Sequence, residues 1–252
     1  MLEDLEGLWR REYIRVPGAR EDRATSVTWL QGGRFFCDLR QPHDLPSCSG
    51  VRCLRDLSPE QLMGLARQES FAGELTLDGD VAEWHRQMDF QPDTGFADRA
   101  RLTLEGEALL EAGTERPYVE RWVRARAPRA PAWGARYVDR TRNRRGILVC
   151  VGEILMFSRS RAAAVSPGAT LATCLATTEL LEERQDLVDF ETSIGRLGPG
   201  GQWWIERSTL PFKVGRPWRC RVDPRQPDRL AVDDVTDSGK PVTIEWQREG
   251  VR

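Results

Sequence analysis

Residues 33–40 read GRFFCDLR and residues 152–159 read GEILMFSR. Each is an apolar run opened by glycine and closed by arginine seven positions later. Whether this pairing is chance or duplication decides the fold, and the flanking sequence answers it. A serine–proline start follows each run, SPEQLMGLARQ from Ser58 and SPGATLATCLATTELL from Ser166. Serine before a proline is a helix opening, because the serine oxygen caps free N–H groups and proline fits the first helical position. In the first copy Gln61 completes a capping box. Phe71 then precedes Trp84 by thirteen residues, as Phe190 precedes Trp204 by fourteen. Finally PYVERWVR (117–124) matches PVTIEWQR (241–248). The interval from Arg40 to Trp84 is 44 residues and that from Arg159 to Trp204 is 45. Landmarks kept in order at near-constant intervals indicate a duplicated unit of domain size.

The boundary falls in ARAPRAPAWG, residues 125–134, where prolines and small residues interrupt strand-like sequence. Two domains are therefore expected, residues 1–126 and 130–252. Within each, short segments rich in Val, Ile, Thr, Trp and Phe alternate with turn signals such as QGG, DGD, EGE and DSGK. Antiparallel hairpin strands with one short inserted helix per copy follow, and such strands remove their exposed edges by closing into barrels. The predicted fold class is mainly β, with two antiparallel barrel domains.

Composition narrows the function classes. The chain has 252 residues, 40% of them hydrophobic, nine tryptophans and a formal charge of −2. That charge provides no global attraction for nucleic acid or an acidic membrane. Nine arginines lie between Arg121 and Arg145, which strand faces and a solvated linker explain. Lysine occurs only at Lys213 and Lys240, a skew expected of a GC-rich bacterial genome. The start MLEDLEGLW lacks the basic and apolar regions of a secretory signal. No apolar run approaches the ~18 residues of a membrane span, so a cytoplasmic location is expected. Six cysteines occur without a CxxC pair, and buried free thiols are expected of them. Cys37, His43, Cys48 and Cys53 are spaced too widely for a typical structural zinc site. Walker, dinucleotide, nucleophile-elbow and HExxH patterns are missing, so no metal or cofactor is expected.

The opening EGLWRREYI places Gly7 and Trp9 in a G-x-W arrangement that resembles the first strand of calycin barrels, the lipocalin-like group. With VTWLQGGRFFCDLR, EWHRQMDFQP and WIERSTLPF, the chain resembles an uncharacterised bacterial family distantly similar to the fungal Hri-type protein with two calycin-like domains. The resemblance implies a calycin-like double barrel and small-molecule binding, and it supplies no catalytic residues. In the second copy Trp133 is followed rather than preceded by glycine, which implies a less regular second barrel.

The best place to look for chemistry is EWHRQMDFQP, residues 83–92. On a regular strand Glu83, His85, Gln87 and Asp89 share one face, and Ala82, Trp84, Arg86, Met88 and Phe90 the other. His85 would move a proton near neutral pH, Glu83 or Asp89 would fix its tautomer, and Arg40 would steady negative charge. The competing reading makes His85 a solvated residue and Arg40 half of an ion pair with Asp38 or Glu120. In the second copy, aligned on Trp204, the histidine and aspartate become Ile205 and Thr209.

Three functions remain open. The leading one is a binding protein for a partly apolar small molecule, with its pocket in the N-terminal barrel lined by Trp9, Trp29, Phe36, Trp84 and Trp122. The second is a cofactor-free acid–base enzyme of isomerase, lyase or cyclase type built on His85, Glu83, Asp89 and Arg40. The third is a protein-interaction scaffold whose barrels are filled by side chains. A haem held by His85 has no supporting motif.

Overall fold

The computed structural model describes residues 2–93, 95–126, 132–223 and 226–250. Residues 127–131, the core of the expected linker, lie outside the described residues. The first half forms eight strands: β1 (Gly7–Arg15), β2 (Ser26–Gly32), β3 (Phe35–Gln41), β4 (Glu69–Asp78), β5 (Val81–Asp89), β6 (Asp98–Glu105), β7 (Ala108–Gly113) and β8 (Val119–Arg126). All neighbours are antiparallel, and β8 pairs with β1 to close a barrel. The second half forms β9 (Ala132–Asp139), β10 (Arg144–Val151), β11 (Ile154–Arg159), β12 (Glu191–Leu197), β13 (Trp203–Ser208), β14 (Pro217–Trp218), β15 (Cys220–Asp223), β16 (Gln226–Val235) and β17 (Pro241–Arg248). These make one nine-stranded sheet whose two edge strands are β14 and β15. Only Arg219 separates those edges along the chain, so this sheet is a barrel interrupted within a single strand. The second barrel is the less regular one, as the displaced glycine beside Trp133 implied.

Helix α1 (Pro59–Leu65) sits between β3 and β4 and is capped as its sequence predicts. The Ser58 side chain accepts from the Gln61 backbone N–H, and the Gln61 side chain accepts from the Ser58 N–H. Among the described residues the second half carries two α-helices rather than one, α2 (Leu171–Thr177) and α3 (Leu181–Val188). Its serine–proline pair does not open a helix. Gly168, at φ 78°, turns the chain there, and Thr170 is the cap that accepts from the Thr173 N–H.

Two barrel interiors and a layer between them make up the core. Trp9, Trp29, Phe36, Phe71, Leu75, Trp84, Leu109 and Trp122 fill the first interior. Leu148, Phe157, Ile205, Trp218 and Trp246 lead the second. The layer between is built from Leu30, Cys37 and Leu39 on one side and Ile147, Val149 and Met156 on the other. Strands β2, β3, β10 and β11 are thus covered on both faces, which is why β10 and β11 carry the continuous apolar runs ILVCV and ILMF instead of alternating ones. Glycine permits the closest approach of the halves. A Cβ on Gly32 would lie 2.7 Å from the Trp133 carbonyl oxygen, and one on Gly134 would lie 2.5 Å from the Phe35 Cβ.

The pairing corrects one detail of the repeat. β4 and β5 slip register between Ala72 and Gly73, and β12 and β13 slip between Ile194 and Gly195. Gly73 stands opposite Arg86, and Gly195 stands opposite Ile205. The partner of Trp84 is therefore Trp203, 44 residues after Arg159 as Trp84 is after Arg40. Trp204 takes the place of His85, faces outward and is 44% exposed.

Candidate functional site

A β-bulge shapes the row 83–90. A Cβ at Gly73 would fall 1.9 Å from the His85 carbonyl oxygen, so only glycine lets the strands meet there. The bulge leaves Gln87 without a register partner on β4 and reverses the alternation beyond it. Ala82 and Trp84 point into the barrel, whereas Met88 and Phe90 join the layer between the halves. The single face expected for Glu83, His85, Gln87 and Asp89 is thereby divided. Glu83 and His85 stay together outside, while Asp89 pairs with Arg86 at 3.0 Å.

His85 is exposed, with Nε2 2.8 Å from the Thr76 hydroxyl and Nδ1 3.4 Å from a Glu83 oxygen. Glu83 also accepts from Arg99 at 2.7 Å. The carboxylate beside the ring is therefore that of Glu83, and both ring nitrogens already face partners.

Arg40 is the penultimate residue of β3, at the mouth of the first barrel. Its Nε donates to Asp38 at 2.9 Å and its Nη1 to Glu120 at 3.2 Å. Arg11 reaches the same Glu120 oxygen at 2.8 Å. The Arg40 guanidinium carbon lies 5.0 Å from the Phe71 ring centre, and that of Arg86 lies 3.5 Å from it. Two stacked arginines thus close the aromatic interior at this end. Burial pushes Asp38 up to about 6 even though Arg40 opposes the shift. Burial likewise raises Asp89 to about 6 against Arg86. Burial works against the charge of Arg40, but Asp38 and Glu120 hold it firmly protonated.

Opposite them Glu111 and Glu120 are register partners on β7 and β8, and both are buried. Glu111 accepts from the Tyr118 hydroxyl at 2.7 Å and from the Trp122 indole at 2.9 Å. Burial first, and then the neighbouring Glu120 charge, push Glu111 up to about 8. Glu111 is therefore largely protonated near neutral pH.

Over this mouth lies a cleft of about 1290 Å³. The first half contributes Arg40, Trp84, Arg86, Phe96, Tyr118 and Glu120 to its walls; the second contributes Arg161, Ala163, Val165 and Phe190. Of the nine site residues read from the sequence, Arg40, Glu83, Trp84, His85 and Asp89 line it. Trp9, Trp29, Phe36 and Trp122 do not; they are packed below, each no more than 1% exposed. Trp29 is the centre of that packing, with ring centres of Trp9, Trp84 and Trp122 at 5.9, 5.8 and 5.7 Å.

The sequence reading missed Arg161, Glu120 as more than an ion-pair partner, and Phe96. Arg161 is 8% exposed and stacks near Phe90 and Phe190, 5.4 and 5.5 Å from their ring centres. Its Nη2 donates to the Phe90 carbonyl oxygen. A signal for it exists in the duplication: placed on the 119-residue offset of Arg40 and Arg159, Arg161 falls on Pro42, so this arginine has no counterpart in the first copy.

Among the described residues, no group of three or more His, Cys, Asp and Glu gathers as metal ligands. Cys37, whose spacing from His43, Cys48 and Cys53 is too wide for zinc, is buried between the halves with its thiol raised to about 12 by burial. Most of the arginines between Arg121 and Arg145 have protein partners, such as Arg136 with Glu74 and Arg142 with Asp139. No helix among the described residues is long and apolar enough to cross a membrane.

No protein-family model matches the chain, and no curated protein matches it. Among solved structures, the crystal structure of the uncharacterized protein YLR301w from Saccharomyces cerevisiae is similar, with a TM-score of 0.51. It is 12% identical, and the match covers 97% of this chain and 98% of that one. The two proteins share their fold along nearly their whole lengths.

Proposed function

We propose that the protein binds a small, partly apolar ligand in the cleft over the open end of the N-terminal barrel. One observation carries this reading. Aromatic walls from both halves meet there beside two buried polar groups, Glu120 and Arg161, that keep atoms without protein partners among the described residues. Ligand sites combine an apolar lining with a few directed polar groups in this way. A barrel fold is compatible with such a role, and the filled aromatic interior favours a site at the rim over one in the lumen.

The acid–base alternative has less support, because Thr76 and Glu83 occupy both nitrogens of the exposed His85. A protein-interaction scaffold draws on the filled interior and on outward Trp204. Titration with phenylnaphthylamine, a neutral dye that fluoresces in apolar surroundings, separates the readings. Saturable binding lost on Phe96→Glu supports the cleft. Absence of saturable binding, or binding indifferent to Phe96→Glu and Trp84→Ala, refutes it.

A further inference from the structure

We infer that Arg161 is an anion anchor, and that the ligand carries a singly charged acidic group, a carboxylate, beside its apolar body. This rests on the cleft being a binding site and adds the class of molecule it takes. Arg161 is more than nine-tenths buried and lines the cleft, yet its Nε and Nη1 have no acceptor among the described residues. The other arginines of the mouth, half-buried Arg40 and exposed Arg86, are matched: Arg40 by Asp38 and Glu120, Arg86 by Asp89 and Asp98. Arg161 has no ion pair of its own among the described residues, only the Phe90 carbonyl oxygen and two aromatic rings. A guanidinium kept buried with hydrogen bonds unmade is costly to the fold, and an anion entering the cleft would offset that cost. Burial already lowers Arg161 to about 10, which leaves it charged at neutral pH and able to donate.

The surrounding charge selects the kind of anion. Among the described lining residues, six arginines stand against seven carboxylates. A cleft so balanced does not attract a polyanion, which disfavours nucleic acid and phosphate esters. A monoanion meeting one fork of N–H donors, with its body against Phe96, Phe190 and Trp84, suits both the unpaired guanidinium and the walls.

Two dyes with the same rings test this: anilinonaphthalene sulfonate, a monoanion, and neutral phenylnaphthylamine. The wild-type protein should bind both, and Arg161→Gln should weaken the sulfonate about tenfold to a hundredfold more than it weakens the neutral dye. Equal sulfonate binding by wild type and variant would overturn the anchor and leave the cleft standing. Failure of both dyes to bind the wild type would remove the cleft reading and the anchor with it. Should Arg161→Gln not fold, judged by near-ultraviolet circular dichroism, wild-type protein still decides. Octanoate should then displace the sulfonate dye at a concentration about ten times lower than octanol does. Equal potency of acid and alcohol would overturn the proposal.

Discussion

Replacing Trp29 with alanine separates a packed barrel core from a pocket wall. Trp29 is 1% exposed and its ring meets three other indoles within 6 Å, one stacked and two edge-on. A buried tryptophan removes about 200 Å² from water, worth about 5 kcal/mol at about 25 cal/mol/Å². Each aromatic pair adds about 0.5–1.5 kcal/mol beyond area. Partial collapse around the gap, and alanine's own burial, return some of this. Trp29→Ala should therefore cost about 3–5 kcal/mol, the range of large aromatic deletions. With a urea dependence of about 2 kcal/mol/M, the unfolding midpoint should fall by about 2 M. Urea titration followed by far-ultraviolet circular dichroism reads this directly. A loss below about 1 kcal/mol, with the native near-ultraviolet spectrum otherwise kept, would mean that the indoles surround open space. The argument for a filled interior would then fail.

Gly73→Val should destabilise by about 3 kcal/mol, the upper end of overpacking costs, because its Cβ has no room beside the His85 carbonyl; wild-type stability in a denaturant titration would refute the bulge. Glu111, Asp38 and Asp89 all have folded pKa values raised above their ordinary ones, to about 8, 6 and 6. The folded chain then keeps protons that the unfolded chain has released, so their contribution is full below about pH 4 and is lost as pH rises through 6 and 8. Thermal unfolding from pH 5 to 9 should show that fall, and Glu111→Gln should flatten its upper part; an unchanged slope in the variant would exclude Glu111. His85→Ala should change stability by less than about 0.5 kcal/mol and leave dye binding within twofold, since the ring is exposed at the rim. A tenfold loss of binding would return His85 to the site.

Much of the architecture was legible in the residues. Turn signals between β-rich segments gave antiparallel strands, and GRFFCDLR against GEILMFSR gave the two barrel-like sheets. The capping box at Ser58 marked α1 because its signal is local. What escaped depended on contacts distant in sequence. The bulge at Gly73 divides the Glu83–Asp89 row, and strand alternation carries no trace of it until β4 and β5 are paired. Trp203 and Trp204 are equivalent as text, and only the Gly195 slip shows which one repeats Trp84. Asp38 and Glu120 are candidates for Arg40 from the sequence, while its place as a cap over Phe71 appears only in the closed barrel. Arg161 sits 71 residues from its Phe90 acceptor and belongs to the other half, so its lack of a counterpart at Pro42 marks it in the sequence without marking a cleft.

A crystal structure of the protein with phenylnaphthylamine bound would locate the site itself. The dye should lie over the mouth of the first barrel, against Trp84, Phe96 and Phe190, with the four packed indoles undisturbed beneath it. Dye found among Trp9, Trp29 and Trp122, or on the outer surface at Trp204, would contradict a ligand cleft at the barrel rim.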